Sequence, residues 1–302
     1  MHVREGALAA CSRIDAWIFA PGSARRLAAV RIGLFGVLAL RLCRPLYVQL
    51  GGQPQALFRP ISFMKVLSGM PSTGVILSVE VVAVAAAILS AVGAAVRVMM
   101  PIAVAGALFL NGLWTSIGQP MHNETLLLLS LIPLAFAPVA DAWSIPSRGR
   151  TAPGTQGSRR YGWPVRTAMI VVAGGYFFSG IYKLLFSGPA WVFSDNLRWV
   201  LYRISDENAR PIAPALFLAG HPLITHLVAL VTLVVEIGFP VVLFRPRAAW
   251  FFVPGVVLLH VGIGLTMHLD YSAWALVAVV LFVPWDEVAD RRRAERSAII
   301  EA

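Results

Sequence analysis

Apolar runs of about twenty residues recur along the chain, each long enough to cover a ~30 Å membrane core as a helix. They fall at Leu27–Tyr47, Ser72–Ala95, Val98–Ile117, His122–Ala140, Val165–Leu184, Pro222–Phe244, Ala248–Met267 and Tyr271–Pro284, the last of them short. The pattern predicts an all-α, polytopic transmembrane helical bundle of about eight spans (7–9) with no separate soluble domain. Residues 1–26 form a basic segment before the bundle, residues 27–285 the bundle itself, and residues 286–302 a basic tail.

Composition sharpens this reading. Of 302 residues, 58% are hydrophobic and 13% charged, with mean hydropathy +0.74, whereas soluble domains carry about 25% charged residues. The net charge of +10 is mostly arginine gathered in loops, which reads as a bilayer-orienting bias and not as a nucleic-acid footprint. Arg4, Arg13, Arg25 and Arg26 precede the first run and Arg97 separates the second from the third. Arg148, Arg150, Arg159 and Arg160 follow the fourth, Arg245 and Arg247 the sixth, and Arg291, Arg292, Arg293 and Arg296 the last. Every second loop is therefore basic, which predicts that both termini are cytoplasmic. Cys11 and Cys43 form no CxxC, and no HxxxH or HExxH pair shares a helix face, so neither a disulfide framework nor a metal site is expected.

One outward loop has its own periodicity. Trp191 to Ile204 (WVFSDNLRWVLYRI) spaces aromatic and aliphatic residues helically, with Asp195, Arg198 and Arg203 between them. This fits a helix lying in the interface plane, or a packed connecting helix.

Ionisable groups inside spans are costly and mark candidate sites. The stretch YFFSGIYKLLFSGPAW, Tyr176 to Trp191, runs through small and apolar residues to a lone lysine, Lys183, before Gly-Pro-Trp breaks the helix. Lys183 either snorkels to the headgroups or acts as a base in a partly desolvated pocket. On the loop-derived orientation, His122, Lys183 and His260 fall in the outer half of the membrane on separate helices. Glu80 and Glu236 are the acids well inside spans, Glu236 expected deeper than the lysine. Each either locks the bundle by pairing with Arg31 or Arg41, or serves as a proton acceptor or a partner of Lys183.

Three segments carry a family resemblance. SGIYKL (Ser179–Leu184) resembles the small-Gly-aliphatic-x-Lys-Leu segment of the vitamin K-dependent gamma-carboxylases, members of the wider horizontally transferred transmembrane (HTTM) domain group. MHNETLLLLSLIPLAFAPVADAW (Met121–Trp143) is similar to that family's His-led helix, and LLHVGIGLTMHLDYSAWALVAVVLFVPW (Leu258–Trp285) to its late helix pair. The resemblance spans about Arg25 to Trp285. It implies a bacterial inner-membrane enzyme in which Lys183 is the base toward reduced vitamin K or menaquinol. O2 and CO2 would be co-substrates, and a peptide or protein glutamyl side chain the carboxylated group. His122 would match the proton-handling histidine, with His260 beside the pocket and Tyr176, Tyr182 and Trp191 as contacts for the quinol. The lipid bilayer is the expected environment, with no metal and no nucleic acid. The chain departs from the family in having Tyr182 where a second lysine stands, in its later tryptophan after Phe-Ser-Gly-Pro, and in the short stretch after the last span, where the carboxylases carry a large lumenal portion. The alternatives are a non-catalytic partner in peptide-toxin maturation or export, and a small-solute or proton transporter using Glu80 and Glu236.

Overall fold

A computed structural model describes residues 12–44, 47–118, 122–145 and 157–289. Cys11, Arg4, Arg148, Arg150 and the tail arginines Arg291, Arg292, Arg293 and Arg296 lie outside the described residues. The regular structure of the described residues is all helical, with no β-strand among them. Four helices are long and apolar enough to cross a membrane: Thr73–Val92, Val96–Thr115, Arg159–Ser187 and Pro246–Met267. A fifth candidate is a broken pair, Ala213–Gly220 and Pro222–Gly238, bent by 103° at His221. The chain divides into two compact units, residues 1–168 with 283–302, and residues 169–282.

The first unit is built on α1 (Ala24–Leu42), α2 (Thr73–Val92), α3 (Val96–Thr115) and α4 (Thr125–Ala135). Ser23 caps α1, its hydroxyl accepting from the Arg26 amide at 2.9 Å. A tight turn joins α2 to α3, with Gly93 at φ +82° and Ala95 at φ +42°. The two helices then cross closely at Gly106, where a Cβ would lie 2.6 Å from that of Ala83. The end of the described chain returns to the start of α1, where Ser23 donates to Asp286 at 3.0 Å and Arg26 donates to the Val283 carbonyl.

Two expected spans are shorter than the hydropathy suggests. The run His122–Ala140 is helical only over α4, whose eleven residues reach about 16 Å at 1.5 Å each. The chain beyond it is irregular, and such backbone tolerates burial only if its polar groups find partners. Arg31, fully buried on α1, supplies them: its guanidinium donates to the carbonyls of Val139 and Trp143, each at 2.6 Å. Arg31 therefore binds backbone and not the expected glutamate. Arg41 likewise meets Glu124 (Nε to Oε1 2.7 Å) and not Glu80 or Glu236.

The second unit takes the latter part of α5 (Arg159–Ser187), then α6 (Ala190–Phe193), α7 (Asn196–Glu207), α8 (Ala213–Gly220), α9 (Pro222–Gly238), α10 (Val241–Phe244), α11 (Ala249–Met267) and α12 (Ser272–Phe282). The expected helix at Trp191–Ile204 is two helices, α6 and α7, separated at Ser194 and Asp195. Its inner face buries Leu201 against Ile212, Ala215 and Ala219 of the next segment. The predicted run Pro222–Phe244 is broken between α9 and α10 by Phe239-Pro240, since proline cannot donate to the helix ladder. The last run is helical over eleven residues, α12.

Candidate functional site

The site of the second unit begins with a stripe on α5. Tyr176, Gly180 and Lys183 are spaced four and three residues apart, so they stack on one helix face. The segment around them is rich in small residues, which let membrane helices approach closely. Gly180 makes the approach closest: a Cβ there would lie 2.6 Å from Ile237 Cγ1 and 3.0 Å from Glu236 Cβ. This brings α9 alongside α5 and places one acid within reach of the lysine.

Lys183 Nζ donates to both carboxylate oxygens of Glu236, each at 2.7 Å. The carboxylate is nearly dry, whereas the lysine side chain is 24% exposed. Of the readings open for Glu236, the structure realises the one in which it partners the lysine. The Glu236 Cβ lies against Gly180, three residues before Lys183 on α5, and the long lysine side chain reaches across that turn to the carboxylate. Lys183 also sits 5.5 Å from the centroid of the Trp191 ring, a cation–π contact. The helix break that carries Trp191 is made by Gly188, at φ +55°, a conformation that disfavours side chains, followed by Pro189. The Trp191 indole N–H is buried with no hydrogen-bond partner.

Two turns back along α5, Tyr176 is 1% exposed and its hydroxyl lies 3.0 Å from Nε2 of His260 on α11. Aromatic rings enclose that imidazole. Tyr271 stacks on it at 6.0 Å, Trp274 meets it edge-on at 6.0 Å, and Tyr176 itself packs against Trp274 at 5.7 Å and Phe239 at 4.7 Å. The other imidazole nitrogen, Nδ1, is buried without a partner.

The remaining sequence-derived candidates are placed differently. Tyr182 is 63% exposed and stacks on exposed Phe186 at 4.2 Å, on the side of α5 away from the Tyr176–Lys183 stripe. His122 belongs to the first unit, exposed at the entry to α4, where the buried ionisable residue is Glu124. Glu80, on α2, is buried with Oε2 unpartnered. The sequence reading had not singled out Tyr271 or Trp274. The aromatic spacing at the start of the last apolar run was the available signal.

An ion pair and a tyrosine–histidine pair on one face of α5, with two buried polar nitrogens unsatisfied, can each move a proton and still donate to or accept from a bound polar group. Among the described residues no group of three or more His, Cys, Asp or Glu is placed to hold a metal ion. Comparison with protein-family models, with curated proteins and with solved structures returns no match to this chain.

Proposed function

We propose that the chain is a bacterial inner-membrane protein of eight spans with both termini cytoplasmic, and that its second unit carries the site of a quinol-using enzyme with Lys183 as base. The resemblance to the vitamin K-dependent gamma-carboxylases and the HTTM group supplies the reaction class. The observation that carries the reading is the two-pronged Lys183–Glu236 contact beside the Tyr176–His260 pair. A lysine abstracts a proton only as the free amine. Glu236 provides the route to that state, because transfer along a 2.7 Å hydrogen bond turns the ion pair into amine and carboxylic acid. Lys183 then accepts a hydroxyl proton and becomes ammonium again.

The residues present suit a reduced vitamin K or menaquinol headgroup. The Trp191 N–H is an unfilled donor and His260 Nδ1 an unfilled polar position, and aromatic rings pack around the imidazole. When bound, such a quinol supplies the electrons for reaction with O2, with CO2 and a glutamyl side chain of a peptide or protein as the carboxylation partners. The protein's own part is to orient the ring by aromatic packing, to exclude water around His260, and to hold the proton at Lys183 or Glu236. His122 takes a proton-handling role on the resemblance alone.

The deciding experiment uses the full chain in nanodiscs with menaquinol or vitamin K hydroquinone, following oxygen uptake and epoxide formation. Turnover in the wild type that is lost in Lys183→Ala is the expected result. Absence of turnover in both would overturn the enzymatic reading in favour of a non-catalytic partner in peptide maturation or export. The bent pair α8–α9 favours a second reading, a transporter, because broken helices line the substrate sites of many transporters. In that case proton-coupled flux in liposomes, lost in Glu236→Gln, would appear without quinol oxidation.

A further inference from the structure

The outer face of α7 forms a second site, remote in character from the proton chemistry of Lys183. Helix α7 turns Leu201 inward and leaves Trp199, Tyr202, Arg203 and Asp206 lining an open groove of about 560 Å³, together with Asn208, Pro211 and Leu216. Trp199 is 69% exposed. Its ring and that of Tyr202 meet at an open angle of 57° with centroids 6.2 Å apart, so they form two walls of a corner and not a closed stack. Tryptophan and tyrosine exposed on an amphipathic helix between apolar segments are the residues that settle at headgroup depth.

The charges in this groove have a definite arrangement. Arg203 uses Nε to hold Glu207 at 2.7 Å, leaving the rest of its guanidinium exposed. Asp206 makes no ion pair among the described residues. From Asp195 to Arg210 the segment carries three arginines (Arg198, Arg203 and Arg210) and three acids (Asp195, Asp206 and Glu207), so it has no net charge. A helix that bound anionic lipid by electrostatics would instead carry a basic excess. Next to the aromatic corner stand one unpaired carboxylate, Asp206, and one arginine with open donors, Arg203, while Arg198 beside Tyr202 is already engaged by Asp195 and the Ala219 carbonyl. A carboxylate and two ring faces suit an alkylammonium group, and a guanidinium suits a phosphodiester.

We propose that this groove is a headgroup site for a zwitterionic phospholipid, with the ammonium held by Trp199, Tyr202 and Asp206 and the phosphate by Arg203. It anchors α7 at the membrane surface and selects neutral over anionic lipid. The proposal does not depend on any chemistry at Lys183.

The test uses the full chain, delipidated in detergent and titrated separately with phosphatidylethanolamine, phosphatidylcholine and phosphatidylglycerol, with binding read by native mass spectrometry. The wild type retains one molecule of either zwitterionic lipid about tenfold more tightly than phosphatidylglycerol. Asp206→Asn abolishes that preference, and Trp199→Ala weakens both zwitterionic lipids about three- to tenfold. Arg210→Gln, outside the groove, leaves the preference intact. These side chains are exposed, so unchanged thermal unfolding of the variants confirms that folding is not at issue. Phosphatidylglycerol binding as tightly as the zwitterionic lipids in the wild type would overturn the proposal without recourse to any variant. So would a preference that persists in Asp206→Asn.

Discussion

Lys183 and Glu236 form a two-pronged ion pair, the ammonium 2.7 Å from each carboxylate oxygen, across helices α5 and α9. Removing one partner of a buried pair leaves the other charge stranded, which costs more than losing the pair as a whole. Lys183→Met and Glu236→Gln singly should each destabilise the protein by on the order of 3 kcal/mol, the lysine's partial exposure moderating the effect. The double variant should recover most of that loss. Thermal unfolding in detergent, run as a double-mutant cycle, measures the coupling. Additive losses would mean that the pair is not a unit.

Gly180 is what allows that pair to close. With Ile237 Cγ1 only 2.6 Å from where a Cβ would stand, Gly180→Ala should force α5 and α9 apart and cost about 1–3 kcal/mol. The same variant should depress quinol-dependent turnover, because the carboxylate withdraws from the lysine. Gly262→Ala on α11 is the control, having no atom within 4 Å of its would-be Cβ, and should be neutral or slightly stabilising, since alanine favours helix by ~1 kcal/mol over glycine. Destabilisation at 262 equal to that at 180 would remove close helix approach as the explanation.

The helical membrane character of the chain was legible from composition and run length alone, because a bilayer requires its spans to be long and apolar. The extent of the spans was not. Hydropathy registers the apolar residues of Phe136 to Val139 but not that Arg31, more than a hundred residues earlier, satisfies irregular backbone there. Lys183 stood out as a lone cation in an apolar stretch, and Glu236 was one of two acids open to it as a partner; only the helix crossing decides between them. Counting residues put Glu236 deeper than Lys183, and its Cβ packs against Gly180, three residues before the lysine, so the ion pair closes because the lysine side chain spans that turn. The i, i+7 relation between Tyr176 and Lys183 was in the sequence all along. What gives it meaning is that His260 and Glu236 arrive from two other helices, which no local pattern encodes.

Tyr176 and Tyr182 provide a matched comparison on one helix. Tyr176→Phe keeps the ring packing but removes the hydroxyl contact to His260, so it should cost about 1 kcal/mol of stability and a larger fraction of quinol-dependent turnover. Tyr182→Phe, on the exposed side, should change stability by less than about 0.5 kcal/mol. Oxygen uptake with menaquinol, measured beside thermal unfolding, separates the two. Equal turnover in the two variants would exclude the Tyr176–His260 pair from the chemistry.

Arg31 makes the strongest structural prediction of the first unit. Its fork donates to Val139 and Trp143 at 2.6 Å, with Ala91 and Ala142 at 3.5 Å, from a wholly buried position. Arg31→Met fills similar volume but leaves those carbonyls without donors in an apolar surrounding, which should cost at least about 3 kcal/mol. Arg31→Lys keeps the charge. Its single ammonium cannot reproduce a planar fork directed at separate carbonyls, so it should recover only part of the loss. Limited proteolysis makes the cause visible: cleavage should rise within residues 136–145, where the irregular backbone loses its donors, ahead of cleavage in α2 or α3. If Arg31→Lys were as stable as the wild type, positive charge alone would account for the position, and the directed hydrogen bonds would not be what holds this turn.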